Sequence, residues 1–103
     1  MFRETDRQKQ LGRDTMLPVL LVFMPKDAHQ YFLMNGVVEQ LLVNLRGKVQ
    51  LLKIEEVVNP GVVRSFGVDQ LPALILVRQG KELWRHEGIP AENLLGLFEP
   101  YIS

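Results

Sequence analysis

The sequence contains no cysteine among its 103 residues. Without a thiol, a chain forms no disulfide, holds no iron–sulfur cluster and has no thiolate for zinc or for nucleophilic attack. Histidine is also scarce, because His29 and His86 are the only two, and a structural zinc site therefore lacks ligands. We expect no metal, no cofactor and no intrinsic thiol chemistry.

The sequence also lacks an excess of either charge and a long apolar run. Twelve basic and twelve acidic side chains cancel, and no stretch concentrates the positive charge that nucleic-acid binding requires. The longest apolar run, 17–24, is far shorter than the roughly 20 residues that cross a bilayer. Residues 1–13 have no apolar core of a secretory signal. The composition predicts a cytoplasmic protein that binds neither nucleic acid nor membrane.

The remaining composition is that of a folded domain, with 47% hydrophobic and 23% charged residues. The length suits one hydrophobic core. Residues 1–16 form a polar N-terminal segment, in which Thr5 and Gln8 resemble a capping box for a short helix over about 6–11. Residues 17–103 are predicted to form the domain.

Hydrophobic periodicity predicts alternating strands and helices. The continuous apolar run 17–24 is typical of a strand that is buried on both faces of a sheet. From Asp27 the period becomes helical, and Gly47 is placed to end that helix. A second strand is predicted over 48–54, followed by a short helix that Asn59 and Pro60 open and Gly67 ends. Strands 73–77 and 81–86 are predicted to form a hairpin across Gln79 and Gly80. Pro90 opens a last helix, which should direct Leu94, Leu95 and Phe98 towards the sheet.

The long helix is predicted to bury one face against the sheet. Its expected core side chains are Met34, Val38, Leu41 and Leu45, and their expected partners are Leu20, Val22, Leu52, Ile54 and Leu74. Gly36 interrupts the helical pattern and predicts a kink or a close contact.

The predicted elements follow one another as βαβαββα, and residues 18–23, 59–61 and 66–73 carry motifs at matching places in that order. Over about 18–88 the chain thereby resembles the thioredoxin family. Residues 18–23 look like the strand that leads into the family's active site, and Asn59-Pro60-Gly61 resembles its Asn-Pro helix start. Residues 66–73 resemble the family's Tyr-Gly-Ile-x-x-Ile-Pro-Thr segment, which carries a cis-proline. The resemblance implies an α/β thioredoxin fold, in which a central mixed sheet, built from a βαβ unit and then a β-hairpin plus helix, is flanked by helices.

The same resemblance places a degenerate loop where the family has its dithiol. Counting forward from Phe23, the family's Cys-Gly-Pro-Cys falls on Ala28, His29, Gln30 and Tyr31. The family's buried aspartate falls on Val22, and its two flanking tryptophans fall on Met24 and Asp27. Thiols, proton acceptor and aromatic frame are thus replaced together, which favours a domain without redox activity.

Two places could still have a function. The resemblance implies that Leu71, before Pro72, can pair through its backbone with an extended peptide, in a groove that also includes Met24 and Asp27. The alternative is that Pro72 only shapes the sheet edge. His29, at the start of the long helix, could be a general base or a ligand contact, but a tolerated polar residue in an exposed loop is the simpler interpretation.

The leading hypothesis is a redox-inactive thioredoxin-like module that binds a protein segment, as a chaperone or adaptor, and is a monomer or weak homodimer. One alternative is a thiol–disulfide oxidoreductase that works only with a partner's cysteines. A second alternative is a structural or oligomerising domain. Fold alone does not choose among these hypotheses.

Two further residues carry expectations. Lys53 stands where the family keeps a lysine, but Val22 has replaced its carboxylate, so Lys53 should reach solvent or pair with Glu55 or Asp27. Trp84, with Glu82 and His86 on one face of its strand, is predicted either to pack against the last helix or to form an exposed interaction patch.

Overall fold

The computed structural model describes residues 17–90 and 99–102. Its strands are β1 (Val19–Met24), β2 (Gln50–Glu55), β3 (Ala73–Arg78) and β4 (Lys81–Glu87), its helices are α1 (Ala28–Asn44) and α2 (Pro60–Ser65), and a 3-10 turn covers Glu99–Tyr101. The helix predicted over 6–11 and the interior of the helix predicted after Pro90, with Leu94, Leu95 and Phe98, lie outside the described residues. No helix in the described part of the chain is long and apolar enough to cross a membrane.

The four strands form one mixed sheet in the order β2-β1-β3-β4. Strand β1 is parallel to β2 and antiparallel to β3, and β3 and β4 form an antiparallel hairpin. The predicted turn residues both have positive φ, 52° at Gln79 and 80° at Gly80, which a two-residue hairpin with the sheet's natural twist requires. The predicted βαβ unit followed by a hairpin is confirmed.

A hydrophobic core lies on each face of the sheet. The core beneath α1 consists of Leu20, Val22, Met24, Met34, Val38, Leu41, Leu45, Leu74 and Leu76. The core on the α2 face consists of Leu21, Phe23, Ile54, Val63, Ala73 and Ile75. Successive residues of β1 enter alternate cores, which explains why the whole strand is apolar.

One part of the predicted packing is wrong, because the face of β2 was misassigned. Leu51, not Leu52, packs beneath α1, while Leu52 is 53% exposed and Ile54 belongs to the opposite core. Leu51 and Leu52 are adjacent and both apolar, so the local pattern does not distinguish the two faces. A one-residue change of parity moves every side chain of a strand to the other face.

The start of α1 is as predicted, whereas the helix ends at Asn44, before Gly47, and Gly36 makes no close contact. Asp27 caps the helix, since its Oδ1 accepts a hydrogen bond from the Gln30 amide at 2.8 Å. Gly47 has φ of 79°, a conformation that glycine adopts without a steric penalty. A Cβ added at Gly36 would meet no atom within 4 Å, so the predicted close contact is wrong, and the kink given as its alternative stays a prediction.

Strand β4 contains a bulge that changes which side chains share a face. Trp84 pairs with Leu76, whereas Glu82 pairs with the next residue, Val77, so Leu83 is the extra residue. The prediction that Glu82 shares the face of Trp84 is therefore wrong. Trp84 is half-buried against the core beneath α1 and stacks on His86. This packing contradicts the exposed tryptophan patch.

Candidate functional site

Two chain segments lie at the same edge of the sheet, where β1 ends and β3 begins. Phe23, near the end of β1, pairs with Ala73, the first residue of β3, in antiparallel register. The chain therefore leaves β1 towards the start of α1 at the edge where Leu71 and Pro72 enter β3. This topology brings the two predicted halves of the peptide groove to one edge.

The first half is the start of α1, where Asp27 bonds two amides of the first turn. The Asp27 carboxylate caps the Gln30 amide, and the Asp27 carbonyl accepts from the Tyr31 amide at 2.8 Å. Ala28 and His29 are exposed, and Gln30 is half-buried. Within 17–90 and 99–102 no three acidic or histidine side chains are grouped to hold a metal ion.

Tyr31 is bonded to Glu55, the last residue of β2, which pairs with Met24 at the same edge of the sheet. Its hydroxyl donates a 2.6 Å hydrogen bond to Oε2 of Glu55. Acceptance of that hydrogen bond by the carboxylate raises the pKa of Tyr31 above its usual value, and desolvation adds to the effect. Tyr31 is thus a structural link between α1 and β2.

Lys53 lies beside this link and reaches solvent, which confirms the first of its predicted outcomes. Its side chain is exposed, and Nζ donates to Oδ1 of Asn35 at 2.9 Å. Nζ also lies 5.4 Å from the centre of the Tyr31 ring, within the range of a cation–π interaction. Neither Glu55 nor Asp27 forms an ion pair with it among the described residues.

The Tyr31 link gives a titration that can be measured. Replacing Glu55 by glutamine should lower the pKa of Tyr31, because a neutral amide no longer favours the protonated phenol. Absorbance at 295 nm in a Tyr101→Phe background reports this phenol alone. Since the folded pKa is raised, the stabilisation is complete below the unfolded pKa of about 10 and is lost as pH rises through the folded value.

Glu56→Gln is the matched control, since Glu56 follows Glu55 but does not bond Tyr31. An unchanged Tyr31 titration in Glu55→Gln, or an equal change in both variants, would contradict the assignment of the shift to this hydrogen bond.

The second half of the edge is the segment before β3. The Leu71–Pro72 peptide bond is cis. Pro72 is buried, and Leu71 is half-buried against the core on the α2 face. Neither the N–H nor the carbonyl of Leu71 has a hydrogen-bond partner among the described residues, whereas the Pro72 carbonyl accepts from the Gly88 amide at 2.7 Å.

Met24 does not belong to the surface of this edge, contrary to the prediction. Its side chain is completely buried in the core beneath α1. The reason is the alternation of β1, in which Met24 continues the inward series of Leu20 and Val22. A bound peptide has no access to it.

Two side chains of β4 that the sequence interpretation missed hold the loop before Leu71. Arg85 donates from Nη2 to the Phe66 carbonyl at 2.9 Å and from Nη1 to Glu87 at 3.0 Å. Glu87 in turn accepts from the amides of Asp69 and Gln70. The only signal in the sequence was the placement of Arg85 and Glu87 two residues apart, on one face of a strand.

Arg85 is also gripped by Glu82. Nε and Nη2 of Arg85 form a bidentate pair with the Glu82 carboxylate at 2.7 and 2.9 Å. These bonds lower the pKa of Glu82 and raise the pKa of Arg85. The bulge at Leu83 makes this pair possible, because it turns Glu82 to the face of Arg85.

The chain is similar in sequence to known proteins of one family. No family model matches it. A thioredoxin-like protein of Synechocystis sp. is 31% identical over 72 residues, which are 70% of this chain and 69% of that protein. The chain belongs to the thioredoxin-like family. Thioredoxin of Rickettsia felis is 25% identical over 79 residues, which cover 77% of this chain and 75% of that protein.

Solved structures agree on the thioredoxin fold. Thioredoxin-2, described as a component of the malaria parasite's protein secretion machinery, has a TM-score of 0.74 at 24% identity and covers 82% of each chain. The germline-specific thioredoxin Deadhead of Drosophila melanogaster has a TM-score of 0.76 at 19% identity, over 93% of this chain and 91% of that chain. At these identities the likeness concerns the fold.

This thioredoxin-like chain carries no thiol at its helix start. The positions that resemble the family's two cysteines hold Ala28, which is exposed, and Tyr31, which bonds Glu55. Val22, which the resemblance places at the family's buried aspartate, is fully buried. Among the described residues, the edge offers backbone groups of Leu71 without a partner and a small apolar side chain at Ala28, and the chain has no cysteine to act as a nucleophile.

Proposed function

We propose that this thioredoxin-like domain is redox-inactive and binds an extended segment of another protein. The binding site, the peptide groove, consists of Asp27, Ala28 and His29 on one side and the backbone of Leu71 on the other, with the buried Pro72 beneath it shaping the chain. The observation that carries the proposal is that, within 17–90 and 99–102, nothing bonds the N–H or the carbonyl of Leu71 at the edge where α1 starts.

The chemistry of the groove favours main-chain recognition. An extended segment can donate to the Leu71 carbonyl and accept from its N–H, as a strand does at a sheet edge. Ala28 presents a methyl group, so a side chain of the segment can pass close to the helix start. Because no bond to sulfur is formed, the segment needs no cysteine.

Blocking the groove should weaken this binding. The probe is insulin B chain with alkylated cysteines, an unfolded polypeptide without thiols. Ala28→Trp should weaken its affinity at least about tenfold, a loss of about 1.4 kcal/mol of binding free energy. Fluorescence anisotropy of the labelled probe gives the affinities.

Gln40→Trp introduces the same side chain at an exposed position near the other end of α1 and is the control. Equal affinity of the two variants would contradict the placement of the groove. A stable dimer of the free protein that excludes the probe would favour the structural alternative.

The redox alternative is tested by insulin reduction with dithiothreitol. The wild-type domain should leave the rate of insulin precipitation at the rate of dithiothreitol alone, because it has no thiol to form the mixed disulfide. Any acceleration in proportion to protein concentration would overturn the redox-inactive proposal.

A further inference from the structure

The loop that leads into the peptide groove is fastened to the end of β4. It comprises residues 66–70 and immediately precedes Leu71. Its backbone groups are bonded by two side chains of β4, Arg85 and Glu87, which we call the β4 brace. We propose that Glu87, oriented by Arg85, is a positioning residue for the peptide groove. This role rests on the proposed function.

The two oxygens of the Glu87 carboxylate bond different parts of the protein. Oε1 accepts from the amides of Asp69 and Gln70, at 3.2 and 3.1 Å. Oε2 accepts from Nη1 of Arg85 at 3.0 Å. Two successive amides aimed at one oxygen set the direction of the chain directly before Leu71.

Arg85 holds the beginning of the same loop. Nη2 donates to the Phe66 carbonyl at 2.9 Å, and Nη1 lies 3.4 Å from the Gly67 carbonyl. The planar guanidinium satisfies these acceptors together with both carboxylates because its donors point in fixed directions. Glu82 also accepts two hydrogen bonds from the guanidinium, but among the described residues it makes no bond to the loop.

The brace leaves one residue of this segment open. Asp69 and Gln70 are bonded to Glu87, and the Pro72 carbonyl is bonded to Gly88. Leu71 lies between these anchors with its own N–H and carbonyl unpaired among the described residues. A backbone that is held on both sides loses less conformational freedom when a segment binds, which strengthens binding without a new contact.

Three variants separate positioning from general stability. Glu87→Ala removes the acceptor of both amides, and Glu87→Gln restores a neutral acceptor of the same shape. Glu82→Ala is the matched control, because it removes two bonds to the same arginine but none to the loop. The readouts are amide hydrogen exchange by NMR and the affinity for the alkylated insulin B chain.

In Glu87→Ala, exchange at Asp69 and Gln70 should accelerate at least about tenfold, and the affinity for the probe should fall about tenfold, or about 1.4 kcal/mol. Glu82→Ala should remain close to the wild type in both readouts, whereas Glu87→Gln should fall between the wild type and Glu87→Ala, because its amide oxygen accepts from the loop but its NH2 group cannot accept from Arg85. Unchanged exchange in Glu87→Ala, or equal acceleration in Glu82→Ala, would overturn the positioning role.

The two readouts fail differently. If the wild-type protein does not bind the probe, the proposed function fails, whereas the exchange rates still decide whether Glu87 holds the loop. If Glu87→Ala does not fold, Arg85→Lys decides, because lysine keeps the charge but cannot bond Phe66 and Glu87 together in the same fork. Exchange like that of the wild type in Arg85→Lys would then overturn the brace.

Discussion

Replacing Leu41 by alanine is expected to lower the free energy of unfolding by about 2–5 kcal/mol. Leu41 is 3% exposed and lies in the core between α1 and the sheet, where Met34, Val38 and Leu45 surround it on the same helix face. Truncation removes apolar contacts and leaves a cavity that a close-packed core fills only in part. Urea unfolding followed by circular dichroism measures the loss.

Leu42→Ala is the matched control for this prediction. The residue is adjacent, chemically identical and 52% exposed, so its truncation should cost no more than about 1 kcal/mol. Both variants change the helix propensity by the same amount. Equal losses of stability would show that the buried face of α1 had been misassigned.

Restoring two thiols at the start of α1 is expected to create redox activity. In the double variant Ala28→Cys and Tyr31→Cys, the thiols lie three residues apart in the first helical turn, within reach of each other. The helix start lowers the pKa of a thiol and so increases the reactive thiolate. Insulin precipitation with dithiothreitol should become faster than with dithiothreitol alone.

The single variant Ala28→Cys is the matched control, because one thiol forms a mixed disulfide but has no neighbour to resolve it. Its rate should remain close to that of the wild type. A Tyr31→Phe variant shows separately what loss of the hydrogen bond to Glu55 does to stability. If the double variant folds, forms its disulfide and still fails to accelerate precipitation, then the absence of the two thiols is not the only barrier to redox chemistry.

The elements of the fold were predictable because their signals are local. The apolar run of β1 predicts a strand with two covered faces, and the change to helical spacing after Asp27 predicts α1. Gln79 and Gly80 lie between two strand patterns and so predict the hairpin turn, in which both residues have positive φ. Each of these patterns lies within a few residues of the element that it forms.

The packing of the edge strands was less predictable because it depends on parity. Adjacent Leu51 and Leu52 are compatible with either face of β2, and only the register with β1 decides that Leu51 faces α1. In β4 the bulge at Leu83 turns Glu82 towards Arg85. Neither choice can be read from the strand alone, because the partner strand determines it.

The candidate site divides in the same way. The sequence by itself determined that this thioredoxin-like chain has no thiol, because composition excludes that chemistry in any fold, and that Leu71 precedes a proline at the expected spacing. Only the tertiary structure decided that Met24 is buried, that Tyr31 binds Glu55, and that Arg85 and Glu87 hold the loop before Leu71. These contacts join residues 17 to 24 positions apart in the chain, such as Gln70 with Glu87 and Tyr31 with Glu55. No local pattern encodes such a pairing, because it arises only when the sheet has brought the two segments together.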